Sequence, residues 1–241
     1  MAIFVLVHGG GHGGWCYRFV AERLRADGHQ VYTPTLTGLA EREHLLNPGI
    51  NLDTHITDVV KLLHFEDLHD VILVGHSYGG MVITGIADRA AGRVGHIVYL
   101  DAATPVNGQS LVDVAGPFML AARQKAQIVD DVELVLFPGT DPLGFYGVID
   151  PDQIAWMKPK LTPHPWACFE QKLVLSNEGE LWAIPQSHII CTATIPGRDM
   201  DVLKAKSDGR VWDVDTGHDL MITEPDIVAE LLQKVAAVQT K

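Results

Sequence analysis

The fold of this chain is decided by the stretch Val71-Ile72-Leu73-Val74-Gly75-His76-Ser77-Tyr78-Gly79-Gly80. Its first four residues are apolar and three of them are β-branched, which predicts a strand buried on both faces of a parallel sheet. Residues 77–91 predict a helix that follows at once. The motif Gly-x-Ser-x-Gly between them allows a tight turn that lifts the Ser77 hydroxyl above the sheet, at a helix N-terminus that favours negative charge. The pattern predicts a nucleophilic serine; the alternative is a glycine-rich turn that only packs the helix against the strand.

Strands and helices alternate on both sides of this stretch. Such alternation is typical of the α/β class, with a mostly parallel sheet and helices on both of its faces. The predicted strands are residues 3–7, 31–33, 71–74, 96–101, 189–192 and 210–214, and the predicted helices are residues 15–27, 53–64, 77–91, 200–206 and 224 onward.

Residues 106–185 break the alternation. They hold eight of the thirteen prolines, and they show helical patterns near 110–127 and 151–158 but no clear buried strand. We interpret them as an inserted, mainly helical cap. The predicted organisation is therefore a core in two parts, residues 1–105 and 186–241, with the cap between them.

The composition excludes several classes of protein. The chain has 241 residues, of which 47% are hydrophobic, and this suits a folded α/β domain with an insertion rather than a disordered chain. The 18 Lys and Arg face 30 Asp and Glu, and the resulting charge of -12 repels nucleic acids and anionic membranes. No apolar run approaches the ~20 residues of a membrane span.

The cysteines and the N-terminal residues indicate the cellular compartment in which the protein is expected. Cys16, Cys168 and Cys191 form no Cys-x-x-Cys pair, which predicts reduced thiols rather than disulfides or a zinc site. The N-terminal residues lack the pattern of a signal peptide. We expect a cytoplasmic protein that needs no metal or cofactor and has no nucleic-acid or membrane partner, and the sequence leaves a homodimer open.

A serine hydroxyl becomes a good nucleophile only beside a base that a carboxylate orients. His218 lies in Asp215-Thr216-Gly217-His218-Asp219, between the last predicted strand and the last predicted helix, at the edge of the sheet where Ser77 emerges. We predict that His218 is this base. His76 is closer to Ser77 along the chain, but its place inside the tight turn predicts a packing role.

Two carboxylates fit the chain order of serine, acid and histidine. Asp101 ends the predicted strand that follows the nucleophile helix. The residues before it are apolar, which suits a single functional carboxylate at the end of the strand. Asp199 comes after the next core strand, but the residues between them, Ala193 to Pro196, place it in the first turn of a helix, where acidic residues commonly cap. Asp101 is favoured, and Asp199 is the alternative.

The glycines after the first strand suit an oxyanion hole. In His8-Gly9-Gly10-Gly11 they let backbone amides approach a substrate oxygen, and we assign the hole to the amides of Gly10 and Tyr78. A nucleotide-binding loop is disfavoured because the chain has neither Gly-x-Gly-x-x-Gly nor a P-loop lysine. Candidates for the substrate pocket are His12 and six apolar and aromatic residues of the cap, Phe118, Met119, Phe145, Trp156, Trp166 and Phe169. For each of the six, a place in the core is the alternative and is favoured over the pocket.

Together these motifs resemble the α/β-hydrolase superfamily. The similarity is closest to the branch that holds plant hydroxynitrile lyases, plant methylesterases and bacterial carboxylesterases such as pyrethroid hydrolases, and it spans nearly the whole chain. The resemblance implies the α/β-hydrolase fold, a serine triad and no cofactor. The segments that carry it are Val7 to Cys16, Leu36-Thr37-Gly38-Leu39, Val74 to Gly80 and Gly217-His218-Asp219.

Two departures from that branch refine the expectation. Hydroxynitrile lyases have threonine after the first-strand histidine and lysine after the catalytic histidine, whereas this chain has Gly9 and Asp219, so cyanohydrin cleavage is not expected. The usual acid position after the strand at 189–192 lacks a carboxylate. The segment Tyr99-Leu100-Asp101-Ala102 is similar to the acid motif of haloalkane dehalogenases, which supports Asp101, although a serine nucleophile does not imply dehalogenation.

The residues and the resemblance predict a serine carboxylesterase that hydrolyses a small hydrophobic or aromatic ester through an acyl-enzyme intermediate. A lactonase or a C–C bond hydrolase would use the same triad. A non-catalytic hydrolase-like protein that binds a ligand in the same pocket is the alternative from another class.

Overall fold

The computed structural model describes residues 1–140 and 144–239. Within these residues, six parallel strands form the central sheet in the order β2-β1-β3-β4-β8-β9, and three antiparallel strands form a second sheet, β5-β6-β7. The strands are β1 (Ile3–Val7), β2 (Gln30–Tyr32), β3 (Val71–His76), β4 (Val94–Leu100), β5 (Gln127–Val129), β6 (Val132–Val135), β7 (His164–Pro165), β8 (Gln186–Cys191) and β9 (Val211–Val214).

Helices cover both faces of the central sheet. Alternate residues of β1 point to opposite faces, so Phe4 and Leu6 pack in one core cluster and Val5 and Val7 in the other. Each such side chain contributes about 1.5–3 kcal/mol when fully buried. The helices are α1 (Arg18–Ala26), α2 (Leu52–Phe65), α3 (Gly79–Arg89), α4 (Leu111–Val114), α5 (Gly116–Arg123), α6 (Pro151–Met157), α7 (Ala167–Glu170), α8 (Glu178–Ala183), α9 (Met200–Lys206), α10 (Leu220–Thr223) and α11 (Pro225–Gln239).

The predicted α/β-hydrolase arrangement of sheet and helices is confirmed. Helices α1 and α11 supply residues such as Val20 and Leu232 to the cluster with Phe4, whereas α2 and α3 supply residues such as Ile56 and Ile83 to the cluster with Val5. Among the described residues, no helix is both long and apolar enough to cross a lipid bilayer.

The insertion between β4 and β8 differs from its predicted form. It contains helices α4 to α8, but it also contains the sheet β5-β6-β7, which the sequence analysis did not predict. All three residues of β5 are exposed, so this strand has no buried apolar run to mark it. The turn between β5 and β6 consists of Asp130 and Asp131, both with positive φ (48° and 63°). Such a two-residue turn is typical of a hairpin, and it was the signal available in the sequence.

Candidate active site

Ser77 occupies a sharp turn between β3 and α3. Its φ of 53° lies in the left-handed region, which non-glycine residues adopt rarely and which often marks a functional site. A Cβ on Gly75 would lie 2.6 Å from the carbonyl oxygen of Gly79, and a Cβ on Gly79 would lie 2.7 Å from the carbonyl oxygen of Val7. Both glycines of the motif are therefore required by close backbone contacts, and Ser77 is half-buried at the carboxyl edge of the sheet.

The turn at Ser77 contacts the loop that follows β4. The amide of Ala103 donates to the carbonyl oxygen of Ser77 at 3.0 Å. A Cβ on Gly80 would overlap the carbonyl oxygen of Ala103, so only glycine allows this approach. The nucleophile turn and the loop that carries Asp101 are thus in direct contact.

Asp101 and His218 form a short hydrogen bond. The Nδ1 atom of His218 lies 2.5 Å from Oδ2 of Asp101, whose carboxylate is fully buried. Such charge-assisted bonds are short and strong. Asp101 itself has a φ of 44°, a conformation that aspartate tolerates better than most residues. Of the two candidate acids, the structure brings Asp101 to His218.

Asp199 has a different role in the structure. It precedes α9, and its carboxylate accepts a hydrogen bond from the amide of Val202 at 3.1 Å, as an N-cap residue does. It also lines the wall of the cavity described below. This geometry matches the capping role that the sequence analysis considered for Asp199.

For Asp199→Asn we expect a mild effect. Asparagine caps helices about as well as aspartate, so the loss is limited to the charge–dipole interaction, about 0.3–1 kcal/mol. Asp199→Ala should cost more, about 0.5–2 kcal/mol, because it removes the acceptor. Chemical denaturation would measure both losses, and a collapse of kcat in Asp199→Asn would contradict the capping role.

The second oxygen of Asp101 is held by residues that the sequence analysis did not single out. Oδ1 accepts hydrogen bonds from Thr194 Oγ1 at 2.5 Å and from Arg198 Nη2 at 2.8 Å. The thiol of Cys191 donates to Oδ2 at 3.2 Å. All three residues follow or end β8, at the position where the resemblance placed the usual acid. The sequence signal was the pair of polar side chains just beyond that strand.

The electrostatics of the pair follow from its contacts. Burial disfavours the carboxylate of Asp101, but the hydrogen bond from His218 and the charges of His218 and Arg198 hold the pKa of Asp101 well below its usual range. Burial favours the neutral form of His218, but the hydrogen bond to Asp101 and the charge of that carboxylate raise the pKa of His218 above its usual value.

The glycine loop after β1 lies against the nucleophile. A Cβ on Gly9 would lie 2.8 Å from the Cβ of Ser77. The next residue, Gly10, and the residue after the nucleophile, Tyr78, are both buried. Within the described part of the chain, neither amide donates a hydrogen bond to a protein acceptor. Both amides are therefore free to bind an oxyanion beside Ser77, and the oxyanion hole stays a prediction.

A cavity of about 510 Å³ contains Ser77, Asp101 and His218 in its wall. One side is formed by α4 and α5, which supply the predicted pocket residues Phe118 and Met119 together with Leu111. α9 and the loop before it form another part of the wall. The cavity is mostly apolar, with a few polar groups around the triad, as ligand sites commonly are.

Of the aromatic residues predicted for the pocket, the described cavity wall contains Phe118 but not Phe145, Phe169, Trp156 or Trp166. Phe169 is buried in one apolar cluster, and Phe145 packs against the other. Trp156 packs against Trp15 and Phe19, with ring centroids 5.4 and 5.1 Å apart. Trp166 is 1% exposed in the core, where the Arg123 guanidinium lies 4.6 Å from its ring centroid. The expectation that they line the pocket does not match these positions, because the packing of the cap turns both rings into apolar clusters.

His12 is also away from the cavity. It is fully buried, its Nδ1 donates to the carbonyl oxygen of Gly10 at 2.8 Å, and its Nε2 lies 2.8 Å from Oδ2 of Asp219. It therefore ties the glycine loop to the residue after His218 rather than contacting a ligand. Asp219 is another residue to which the sequence analysis gave no role in the site.

His76 is confirmed as a packing residue by its contacts. It is 1% exposed, and its Nε2 donates to the carbonyl oxygen of His218 at 3.0 Å. Burial, followed by the nearby His218, lowers the pKa of His76 to about 3. His76 is therefore neutral and holds the backbone of His218 in place.

One group of buried side chains has the composition of a metal site. His55, His164 and Cys168 each offer a ligand atom within 4.8 Å of the others. However, His55 Nδ1 is bound by the Tyr78 hydroxyl at 3.0 Å, and His55 Nε2 donates to the Thr37 carbonyl oxygen at 2.9 Å. Burial raises the pKa of the Cys168 thiol well above its usual value, whereas metals bind the thiolate. His55 therefore hydrogen bonds to Tyr78, and His164 accepts from the Gly11 amide at 3.2 Å and packs its ring against that of Tyr78.

Comparison with known proteins fits this geometry. The model of the alpha/beta hydrolase family matches residues 4–231, so the chain belongs to that family. A relative, the carbendazim hydrolyzing esterase of Nocardioides sp. (strain SG-4G), is 39% identical over 247 residues, which cover 98% of this chain and 99% of that protein. Putative methylesterase 15, chloroplastic, of Arabidopsis thaliana is 28% identical over 193 residues, which cover 73% of this chain and 42% of that protein.

A solved structure extends the comparison. It is the extracellular alpha/beta-hydrolase from a Paenibacillus species, described as sharing structural and functional homology to tobacco salicylic acid binding protein 2. It is 26% identical, has a TM-score of 0.77, and covers 97% of this chain and 98% of its own. The resemblance to this superfamily, including plant methylesterases and bacterial esterases, is thereby confirmed.

Proposed function

We propose that this protein is a serine carboxylesterase. The observation that carries the proposal is the hydrogen bond between Asp101 and His218 in the wall of the cavity that also contains Ser77. Because Nδ1 of His218 is bound to Asp101, its Nε2 is left to take the proton of the Ser77 hydroxyl. The three groups then have the roles of nucleophile, base and orienting acid.

The reaction runs in two steps. Ser77 Oγ attacks the ester carbonyl carbon while His218 takes its proton, and the amides of Gly10 and Tyr78 hold the resulting oxyanion. His218 then gives the proton to the departing alcohol as the ester C–O bond breaks, which leaves an acyl-enzyme. Water, deprotonated by His218, attacks the acyl group, and Ser77 leaves with that proton. Neither step of the proposed reaction needs a metal or a cofactor.

The substrate that we propose is a small hydrophobic or aromatic ester. The cavity of about 510 Å³ falls in the size range of small-molecule sites, and its walls include Leu111, Phe118 and Met119. The name of the Nocardioides relative makes carbendazim a compound to test on this chain. We also propose that residues 106–185 serve as a cap, because α4 and α5 form one wall of the cavity.

A cytoplasmic location is part of the proposal. All three cysteines are free and buried, which suits a reducing compartment.

A substrate panel with a covalent probe tests the proposed function. A fluorophosphonate should label Ser77, and the enzyme should turn over carbendazim or short aromatic and aliphatic esters faster than lactones or diketones of the same size. A preference for lactones or diketones would support a lactonase or a C–C bond hydrolase instead. Absence of both labelling and turnover, with ligand binding retained, would indicate a non-catalytic binding protein.

The proposed mechanism predicts that activity rises with pH. The value of kcat/KM should be low where His218 is protonated and should increase as the pH passes through the pKa of His218, because only the neutral imidazole can accept the Ser77 proton. Since Asp101 raises that pKa, the midpoint should lie above the ~6.5 of a free histidine. Initial rates on a base-stable ester across the pH range in which the protein stays folded would measure it. A flat profile would exclude a histidine base.

A further inference from the structure

Both oxygens of Asp101 are hydrogen bonded. Oδ2 faces His218 and accepts from the Cys191 thiol, whereas Oδ1 accepts from Thr194, from Arg198 and, at 3.4 Å, from the Cys191 amide. Arg198 is further fixed by a hydrogen bond from Nη1 to the carbonyl oxygen of Ala102 at 3.0 Å and one from Nε to Thr194 Oγ1 at 3.3 Å. Its planar guanidinium thus spans the acid, the next residue of the chain and the neighbouring loop.

We propose that Arg198 is a positioning residue of the triad: it holds Oδ1 so that Oδ2 stays aimed at His218, and its charge sets the pH above which His218 works as the base. This inference rests on the proposed esterase function. The segment after β8, where the resemblance placed an acid, supplies here the cation and the hydroxyl that hold the acid of another strand.

The proposed effect of Arg198 on the orientation of Asp101 follows from the geometry of a carboxylate. A carboxylate can rotate about its bond to Cβ, and the partners of Oδ2, which are Nδ1 of His218 and the Cys191 thiol, leave that rotation partly free. The short bonds to Oδ1 from Thr194 at 2.5 Å and Arg198 at 2.8 Å, together with a longer one from the Cys191 amide at 3.4 Å, fix the plane of the group. The bonds that Arg198 forms to Asp101 and Ala102 explain why a planar, multidentate side chain suits this place.

The proposed effect of Arg198 on the protonation of His218 follows from the ion pair between Arg198 and Asp101. Arg198 Nη2 lies 2.8 Å from Asp101 Oδ1, and side-chain exposures of 19% and 0% mean that water screens the pair weakly. The cation offsets part of the negative potential that Asp101 exerts on the imidazole. Protonated His218 is therefore less favoured with Arg198 present than it would be with Asp101 alone, and His218 loses its proton at a lower pH.

The other groups near His218 do not replace this effect. His76, at the end of β3, has its ring centroid 4.6 Å from that of His218, and burial holds it neutral. Asp219, in the same loop, is paired with His12, and its negative charge raises the pKa of His218 in the same direction as Asp101 does, opposite to the effect of Arg198. Cys191, at the end of β8, hydrogen bonds to Asp101 through its thiol. Among the described residues, Arg198 is the one arginine or lysine that forms an ion pair with Asp101.

The test compares three variants. Arg198→Gln removes the charge but keeps a hydrogen-bonding amide, and Arg198→Lys keeps the charge. Arg210→Gln is the matched control, because Arg210 also bonds a backbone carbonyl oxygen (Gln186, 3.1 Å) and an aspartate (Asp208, 3.2 Å), but does so away from the cavity. Arg210→Gln changes the net charge of the protein by the same amount as Arg198→Gln.

The decisive readout is the pH profile of kcat/KM on a neutral ester. In Arg198→Gln the midpoint of the rise should move upward by about one pH unit, from a Coulomb interaction across a partly buried pair. In Arg198→Lys and Arg210→Gln the midpoint should stay within about 0.3 unit of the unmodified enzyme, a shift that corresponds to a twofold change in proton affinity. If Arg198→Gln does not fold, Arg198→Met replaces it, because it keeps the aliphatic part of the side chain that lines the cavity.

A second readout does not depend on turnover. The strongly hydrogen-bonded Nδ1 proton of His218 can be followed by proton NMR, with its assignment checked by its loss in His218→Gln. The same upward shift in its titration is expected in Arg198→Gln. Coinciding titrations of Arg198→Gln and the unmodified protein, or an equal shift in Arg210→Gln, would overturn the proposal. If the NMR shift occurs while no ester is hydrolysed, the positioning role stands and the esterase function fails.

Discussion

Replacing Ser77 by alanine should lower kcat for ester hydrolysis by about 10⁴–10⁶, which is the typical cost of losing the nucleophile of a serine triad. The change removes the oxygen that forms the acyl-enzyme, and it removes little packing because Ser77 is half-buried in the cavity wall. The fold should be retained. Burst kinetics and labelling by a fluorophosphonate would measure the chemical effect, and circular dichroism would check folding.

Ser187→Ala provides the control for Ser77→Ala. Ser187 is a fully buried serine of β8 whose Oγ is hydrogen bonded to His96 Nε2 at 2.8 Å, outside the cavity. Its replacement should cost about 1–3 kcal/mol of stability, because Nε2 of the buried His96 loses its partner, with kcat unchanged. If Ser77→Ala kept its activity within a factor of about ten, the assignment of the nucleophile would be wrong, because far larger losses accompany its removal.

Asp101→Asn should lower kcat by about 10³–10⁴ and leave the fold intact. The hydrogen bonds around Asp101 give the reason. Thr194 and Arg198 both donate to Oδ1, so the amide oxygen of asparagine will take that place and its NH₂ group will face His218. Nδ1 of His218 must then accept, which puts the ring proton on Nε2, where it blocks transfer from Ser77.

Asp199→Asn is the matched control for this second substitution, because it makes the same chemical change at another carboxylate of the cavity wall. Steady-state kinetics and denaturation of the two variants should separate them, with Asp101→Asn losing rate and Asp199→Asn losing at most some stability. The reverse pattern, an inactive Asp199→Asn beside an active Asp101→Asn, would return the acid to the segment after β8.

The parts of the fold that the sequence predicted well are those with a local physical signature. The strand predicted at residues 3–7 is β1 (Ile3–Val7), because a strand covered on both faces must be a continuous apolar run. The turn at Ser77 could also be predicted, because close backbone contacts allow only glycine at positions 75 and 79. Asp101 could be favoured over Asp199 for a similar reason: a carboxylate at the end of an apolar strand differs from one in the first turn of a helix.

The parts that the sequence did not predict depend on contacts between distant residues. Thr194 and Arg198 are polar side chains just beyond β8, but they bind Asp101 across 93 and 97 residues, and no local pattern identifies Asp101 as their partner. The cap posed the same difficulty, because an aromatic residue such as Trp166 has the same sequence signal in a core as in a pocket wall. The exposed strand β5 has no buried apolar run, so the turn at Asp130 and Asp131 was the one local signal of its pairing with β6.

Gly80 takes no part in the proposed reaction, yet it affects how the groups of the predicted triad are placed. Its missing side chain is what lets α3 touch the loop that bears Asp101, since a Cβ there would overlap the Ala103 carbonyl oxygen. In this chain, a larger residue at position 80 would leave the serine, the acid, the histidine and the Gly-x-Ser-x-Gly motif unchanged, but α3 or the loop that bears Asp101 would have to move. The spacing of the predicted triad therefore depends on the residue at position 80 as well as on the three side chains themselves.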